Sequence, residues 1–223
     1  MTLSRRIDSL LHHQLARWEE AGRTPEPAAV VAIASLPGAG GEELGRRVAE
    51  LLGFACFGRE IVDQIAARRG IPEEVLRGLD ERVRSAVDRY FTDAFQEHRF
   101  TEDEFLKEVA RFVVPLARRG SAVFVGRGAA FLLADDPALR VLAVAPTPFR
   151  IERFGRERGV SRDAAREALE REDEARTAFI RHHFQARIDD PGAYDLALNV
   201  ATFGIEGAAA TVVDAWRRRF ARR

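Results

Sequence analysis

The stretch VVAIASLPGAGGEELG, Val30 to Gly45, changes character twice. Val30 to Ala34 is a short, all-apolar run rich in β-branched residues, the pattern of a strand buried on both faces of a parallel sheet. The run breaks at Ser35-Leu36-Pro37-Gly38-Ala39-Gly40-Gly41. Helical spacing then sets in, with Leu44, Val48, Leu51 and Leu52 on one side and Gly53 as the stop. Strand, glycine loop and helix in this order bring backbone N–H groups and a helix N-terminus together, an arrangement that holds phosphate without any side chain. Measured against the phosphate-loop pattern GxxxxGK[ST], Ser35 stands for the first Gly, Gly41 for the Lys and Glu42 for the Ser or Thr.

Outward from this loop, Phe54–Phe57, Ala122–Val125, Val141–Ala145 and Asp195–Val200 are further short strand candidates. Helical stretches separate them, at Glu60–Arg69, at 72–119, after the cap Ser161 and at Glu206–Phe220. The alternation predicts an α/β fold with a doubly wound, parallel, five-stranded sheet and helices on both faces. Residues 71–119, charged and mostly helical, read as a helical insertion, with a break near Thr101 where Thr101 and Glu104 make a capping box. Residues 1–28 read as an amphipathic helix and a connector, with Ile7, Leu10, Leu11, Leu15 and Trp18 on one side. That side serves core packing or a homodimer contact, and 29–223 form the main domain. Ligands of such sheets bind beyond the carboxyl ends of the strands. Function is therefore expected at Gly38–Gly41, Gly58–Arg59, Gly126–Arg127 and Pro146–Arg153.

Composition removes several alternatives. The 223 residues carry 35 basic and 35 acidic side chains, and a net charge of zero argues against a general polyanion binder, so nucleic acid is not an expected partner. No apolar run approaches the roughly 20 residues that span a bilayer, so no membrane partner is expected either. A single cysteine, Cys56, sits in an apolar run as a small buried hydrophobe and points to a reducing, cytoplasmic setting. Lys107 is the only lysine, so a phosphate site here must use guanidinium groups, backbone amides or a metal.

Five segments in order, GAGG after the first strand, VFVGRGAAFLL, APTPFRIERF, EREDEARTAF and YDLALNVATFGIE, resemble the cytidylate kinase-like family of P-loop nucleoside monophosphate kinases. The resemblance implies a P-loop NTPase-like fold and transfer of the γ-phosphoryl group of ATP, with Mg²⁺, to a nucleoside monophosphate, CMP or dCMP being the expected pyrimidine acceptors. It implies that Gly38, Ala39, Gly40, Gly41, Glu42 and Glu43 wrap the donor phosphate. It places Arg127 on the acceptor, and Arg150 and Arg153 at the opening of a mobile lid over about 150–185, with Arg156 and Arg158 as further candidates. Arg176 would reach the phosphates, while Asp173 would hold the acceptor sugar or that arginine. Catalysis would then rest on Arg127, Arg150, Arg153 and Arg176. Arg59 keeps the base of an aromatic, acidic, basic triplet whose acid is Gly58 here, and Gly128 stands where the family has an Asp.

Alternatives remain open on the residues alone. Glu42 either opposes the donor phosphates, at a cost of roughly a few kcal/mol in an effective dielectric near 20, or ligates Mg²⁺ in place of the missing hydroxyl. Arg127 serves phosphate or pairs with Asp135 or Asp136, and Asp173 with Arg176 is either a site pair or one more exposed ion pair. Arg46 and Arg47 are solvated or stand in for the lysine, and His182-His183, without a ligand cluster, stack or face solvent. Three functions fit: a nucleoside monophosphate kinase, a catalytically impaired nucleotide sensor or scaffold, and a kinase for a different small acceptor.

Overall fold

A computed structural model of the chain describes residues 3–21, 29–67 and 104–220. The connector before the first strand, the expected break at Thr101 and the greater part of the insertion lie outside the described residues.

The central strand β1 (Val30–Ser35) is buried along its whole length. It pairs in parallel with β3 (Ala122–Val125) on one side and β4 (Ala138–Val144) on the other, and β2 (Ala55–Phe57) and β5 (Leu196–Asn199) extend the sheet to the order β2-β3-β1-β4-β5. Successive side chains on a strand point to opposite faces. Val31 and Ile33 accordingly join Val123, Val125 and Val141 under α2 (Gly41–Leu52) and α8 (Val200–Phe220). Val30, Ala32 and Phe124 face the other layer, formed by α1 (Leu3–Ala21), α3 (Arg59–Ala67), α4 (Glu104–Arg119) and the short α5 (Ala129–Leu132). This is the doubly wound sheet expected from the alternation of strands and helices.

Two elements depart from the expectation. The strand β4 begins three residues earlier than its apolar run, because Arg140 is accommodated at its start by Asp195, whose carboxylate accepts from the Arg140 backbone N–H at 2.8 Å and from its guanidinium. Helix α8 runs back to Val200 through a non-helical residue, Gly204, so only its second part coincides with the expected closing helix.

The apolar side of α1 is used inside this chain. Leu11, Leu15 and Trp18 are buried, and the Trp18 indole donates to the Gly120 carbonyl at 3.0 Å. Truncating a buried aromatic of this size typically costs about 3–5 kcal/mol, which makes α1 part of the core. Gln14 accepts from the Cys56 backbone N–H at 2.8 Å, tying α1 to β2. The lid expectation corresponds to α6 (Thr147–Arg158) and α7 (Arg162–Phe184), which pack on each other around Ile151, Phe154, Ala165 and Leu169 as a small core of their own. Ser161 caps α7, accepting from the Ala164 N–H at 3.3 Å, as its position predicts.

Candidate active site

The loop between β1 and α2 opens into a cavity of about 990 Å³ at the carboxyl ends of β1, β2 and β3. Gly38 and Gly40 both adopt left-handed backbone conformations, φ 73° and 82°, which only glycine takes without strain. Gly40 thereby starts α2, whose first backbone N–H groups have no partner inside the helix. Gly41 is required for a different reason. A Cβ there would lie 2.3 Å from the Ser35 Cβ, so the two departures from the usual loop, Ser for Gly and Gly for Lys, explain each other: the Ser35 side chain fills the space that a lysine at 41 would need.

Three arginines line the floor of the cavity beneath β1, β2 and β3. Arg176, from α7, donates to the Ser35 carbonyl at 2.5 Å. Burial, reinforced by the neighbouring charge of Arg59 and, more weakly, Arg127, pulls its pKa below the ordinary arginine value. Against this stand a loose i, i+4 ion pair with Glu172 at 3.7 Å and, more weakly, the charge of Asp173. Arg59, the first residue of α3, forms no ion pair with the other described residues. Arg127 sits at φ 53° between Gly126 and Gly128, themselves left-handed, and its guanidinium grips the Asp63 carboxylate with two hydrogen bonds. Asp63 thus takes the role that the sequence offered to Asp135 or Asp136. Asp136 instead faces Arg118 at 3.3 Å, and burial raises its pKa.

The arginines of the lid are already matched. Arg150, buried, donates to both oxygens of Asp173 at 2.9 Å and to the Pro37 carbonyl at 3.3 Å. Asp173 therefore holds Arg150 rather than Arg176, which corrects one of the two roles that the resemblance implies for it, the other being a hold on the acceptor sugar. The helical stagger explains the exchange: Asp173 faces α6 while Arg176, three residues on, turns toward β1. Arg153 donates to Glu43 at 2.6 Å, and Glu157 lies 2.7 Å from its Nε without hydrogen-bond alignment. Its guanidinium also covers Gly40, where an added Cβ would stand 2.9 Å away. Arg158 donates to Glu172 at 2.6 Å.

Glu42 points away from the glycine loop. One oxygen accepts from the Arg59 backbone N–H at 2.9 Å, and the other lies 2.3 Å from the position of a Cβ on Gly58. Among the described residues no group of three or more His, Cys, Asp or Glu is placed to hold a metal ion. Arg47 pairs with Glu50 and Glu206 on the outer face of α2, whereas Arg46 lines the cavity. His183 is buried against Phe179, ring centroids 4.5 Å apart. The Cys56 thiol is pushed up to about 12 by burial, and by Glu42 nearby, so it is no nucleophile at neutral pH.

A family model described as the cytidylate kinase-like family matches residues 30–202. The chain belongs to the cytidylate kinase-like family. It is 26% identical to a cytidylate kinase of Pyrococcus horikoshii over 190 residues, covering 84% of this chain and 88% of that one. It is also 26% identical to a cytidylate kinase of Methanocaldococcus jannaschii over 184 residues, covering 80% and 92%. Among solved structures, an uncharacterized protein from Eubacterium ventriosum superposes with a TM-score of 0.58 at 17% identity, covering 84% of this chain and 98% of the other, which is a likeness of fold.

Seen as a member of the cytidylate kinase-like family, the chain shows which residues the sequence alone did not single out. Asp63 stands one helical turn after Arg59, a spacing that puts both on one face of α3. Phe184 fills the space above Gly128, where a Cβ would meet its ring at 2.4 Å, and stacks on Phe131 at 5.4 Å. Gln14 and Leu10 line the cavity from α1, which precedes the matched region. No spacing rule points to Phe184 or Gln14, since both reach the site from helices distant in sequence.

Proposed function

We propose that this chain is a nucleoside monophosphate kinase that moves the γ-phosphoryl group of ATP to a pyrimidine nucleoside monophosphate, CMP or dCMP first, in the cytoplasm. The observation that carries the reading is Arg176. A largely buried guanidinium, fastened to the carbonyl at the start of the glycine loop, crowded by Arg59 and Arg127 and only loosely paired with Glu172, favours an added anion. ATP bound with Mg²⁺ supplies the transferable phosphoryl group and neutralises part of its charge. The residues of this chain then do three things.

The backbone N–H groups of the Gly38–Gly41 loop and the start of α2 hold the donor β-phosphate, a role indifferent to the missing lysine. Arg176 stabilises the charge that develops on the transferred group, which passes through a loose transition state with its charge on the oxygens. Arg127 and Arg59 take the acceptor phosphate, an oxygen of which attacks the γ-phosphorus as the bond to the ADP oxygen breaks. Arg150 and Arg153 close from the lid, Asp173 holding Arg150 in position. With Gly58 and Gly128 in place of acids, a different small phosphorylated acceptor is the second reading.

ADP formation from ATP and Mg²⁺ with CMP, dCMP, UMP, AMP or no acceptor, run beside thermal shifts with each nucleotide, tests this directly. Turnover with one or two of the monophosphates is expected. A nucleotide-dependent shift without turnover on any acceptor would replace the kinase reading by that of a sensor or scaffold.

A further inference from the structure

We infer that Glu42 is a positioning residue for the acceptor-side arginine Arg59, a cap supplied through space that fastens the phosphate loop to the start of α3; the inference rests on the kinase reading. The first turn of a helix leaves backbone N–H groups without partners, and a side-chain oxygen just before the helix normally satisfies one of them. Gly58, the residue preceding α3, has no side chain to offer. Glu42 makes up the deficit from 17 residues away, one carboxylate oxygen accepting from the Arg59 N–H at 2.9 Å. The second oxygen lies 2.3 Å from the position of a Cβ on residue 58, so a side chain there would push the Glu42 carboxylate out of this contact. A carboxylate at a helix N-terminus is also stabilised by the helix dipole.

This contact accounts for an acid in a loop meant for phosphate. Its charge is spent on the start of α3, and the same contact sets where Arg59 begins. The placement of Arg59 matters at the loop because its charge acts on Arg176, the guanidinium bound to the Ser35 carbonyl. Glu42 therefore couples the two halves of the cavity, with the donor loop on one side of the carboxylate and the acceptor cation on the other.

The test compares Glu42→Ala, Glu42→Gln, Glu42→Ser and the pair Glu42→Ser/Gly58→Asp, using whichever of CMP, dCMP, UMP and AMP the wild type phosphorylates fastest. Glu42→Ala should raise the acceptor KM at least tenfold while the KM for ATP and the Mg²⁺ concentration for half-maximal rate move less than twofold. Glu42→Gln keeps an accepting oxygen and should stay within about threefold of the wild-type acceptor KM. The double variant, with its acid returned to residue 58, should recover most of what Glu42→Ser alone loses. A rise in the ATP KM or in the Mg²⁺ requirement with an unchanged acceptor KM would overturn the inference and place Glu42 on the donor side. Amide hydrogen exchange gives a reading independent of turnover. Faster exchange at Arg59–Val62 in Glu42→Ala, restored in Glu42→Gln, is expected, and unchanged protection would overturn the inference. A wild type inactive on every acceptor would refute the kinase reading alone, leaving the exchange result to decide whether Glu42 caps α3.

Discussion

The arginines of the cavity floor and those facing it from α6 are chemically alike but differ in how closely carboxylates match them. On the lid, Arg150, Arg153 and Arg158 each hold a carboxylate, Asp173, Glu43 and Glu172 in turn. On the floor, Arg127 is held by Asp63, Arg176 meets Glu172 only at 3.7 Å and is crowded by Arg59, and Arg59 forms no ion pair with the other described residues. The difference teaches where binding energy resides. An incoming phosphate relieves repulsion on the floor, whereas on the lid it must displace carboxylates already in place, so the lid arginines gain little until a ligand brings more negative charge than it displaces. Under the proposed kinase function, the floor selects an anion and the arginines of α6 respond to it.

The largest expected effect attacks the floor. Arg176→Ala should lower kcat/KM by about 100- to 1,000-fold, the usual consequence of removing one oriented donor to a charged transition state. Its Tm should fall by no more than about 2 °C, because the variant also relieves the repulsion from Arg59. A parallel loss of fold and activity would make Arg176 structural and collapse the distinction. Adding a cation to the floor is the second trial. Gly41→Lys should destabilise the chain by about 1–3 kcal/mol through collision with Ser35, seen as a Tm lower by roughly 2–4 °C per kcal/mol for a chain of this length. Ser35→Gly/Gly41→Lys should recover that loss and bind ATP more tightly than the wild type.

On the lid, Asp173→Asn leaves the buried Arg150 without a counter-charge. Breaking a fully buried pair costs about 3–5 kcal/mol, and the partial exposure of Asp173 reduces this to about 1–2 kcal/mol, measurable by urea denaturation. Glu43→Gln, which frees the well-covered Arg153 from an exposed acid, is the mildest. The ATP KM should fall by less than about threefold, in line with the small worth of exposed ion pairs, and an increase would mean that Glu43 itself assists the nucleotide.

Much of the fold can be read from the sequence, because strands buried on both faces must be short apolar runs and because glycines mark their carboxyl ends. The α5 turn escapes such reading, since four residues are too few for a helical period, and the start of β4 is hidden by Arg140, whose charge is cancelled by an acid 55 residues away. At the site, the positions of Gly38–Gly41, Arg127 and Arg150 follow from strand ends, whereas Arg176 comes only with the family resemblance. Their partners follow from neither. The Arg127–Asp63 and Arg150–Asp173 contacts span 64 and 23 residues, and an i, i+3 spacing made Arg176 look like the natural partner of Asp173. The exclusions of Ser35 with Gly41 and of Glu42 with Gly58 are invisible in one dimension, where each substitution looks like a loss; in space each loss is filled by another residue of the chain.

The grip of α1 on β2 has one further consequence. Among the described residues β2 pairs with β3 alone, so its other side is an edge there, and unpaired N–H and C=O groups along an edge are a template on which a second chain can add as a strand. Gln14 occupies the Cys56 N–H, and the side of α1 that carries Leu11, Leu15 and Trp18 covers the apolar surface beside it. The helix thus covers the edge where another strand would pair, and it does so with residues that precede the family-matched segment.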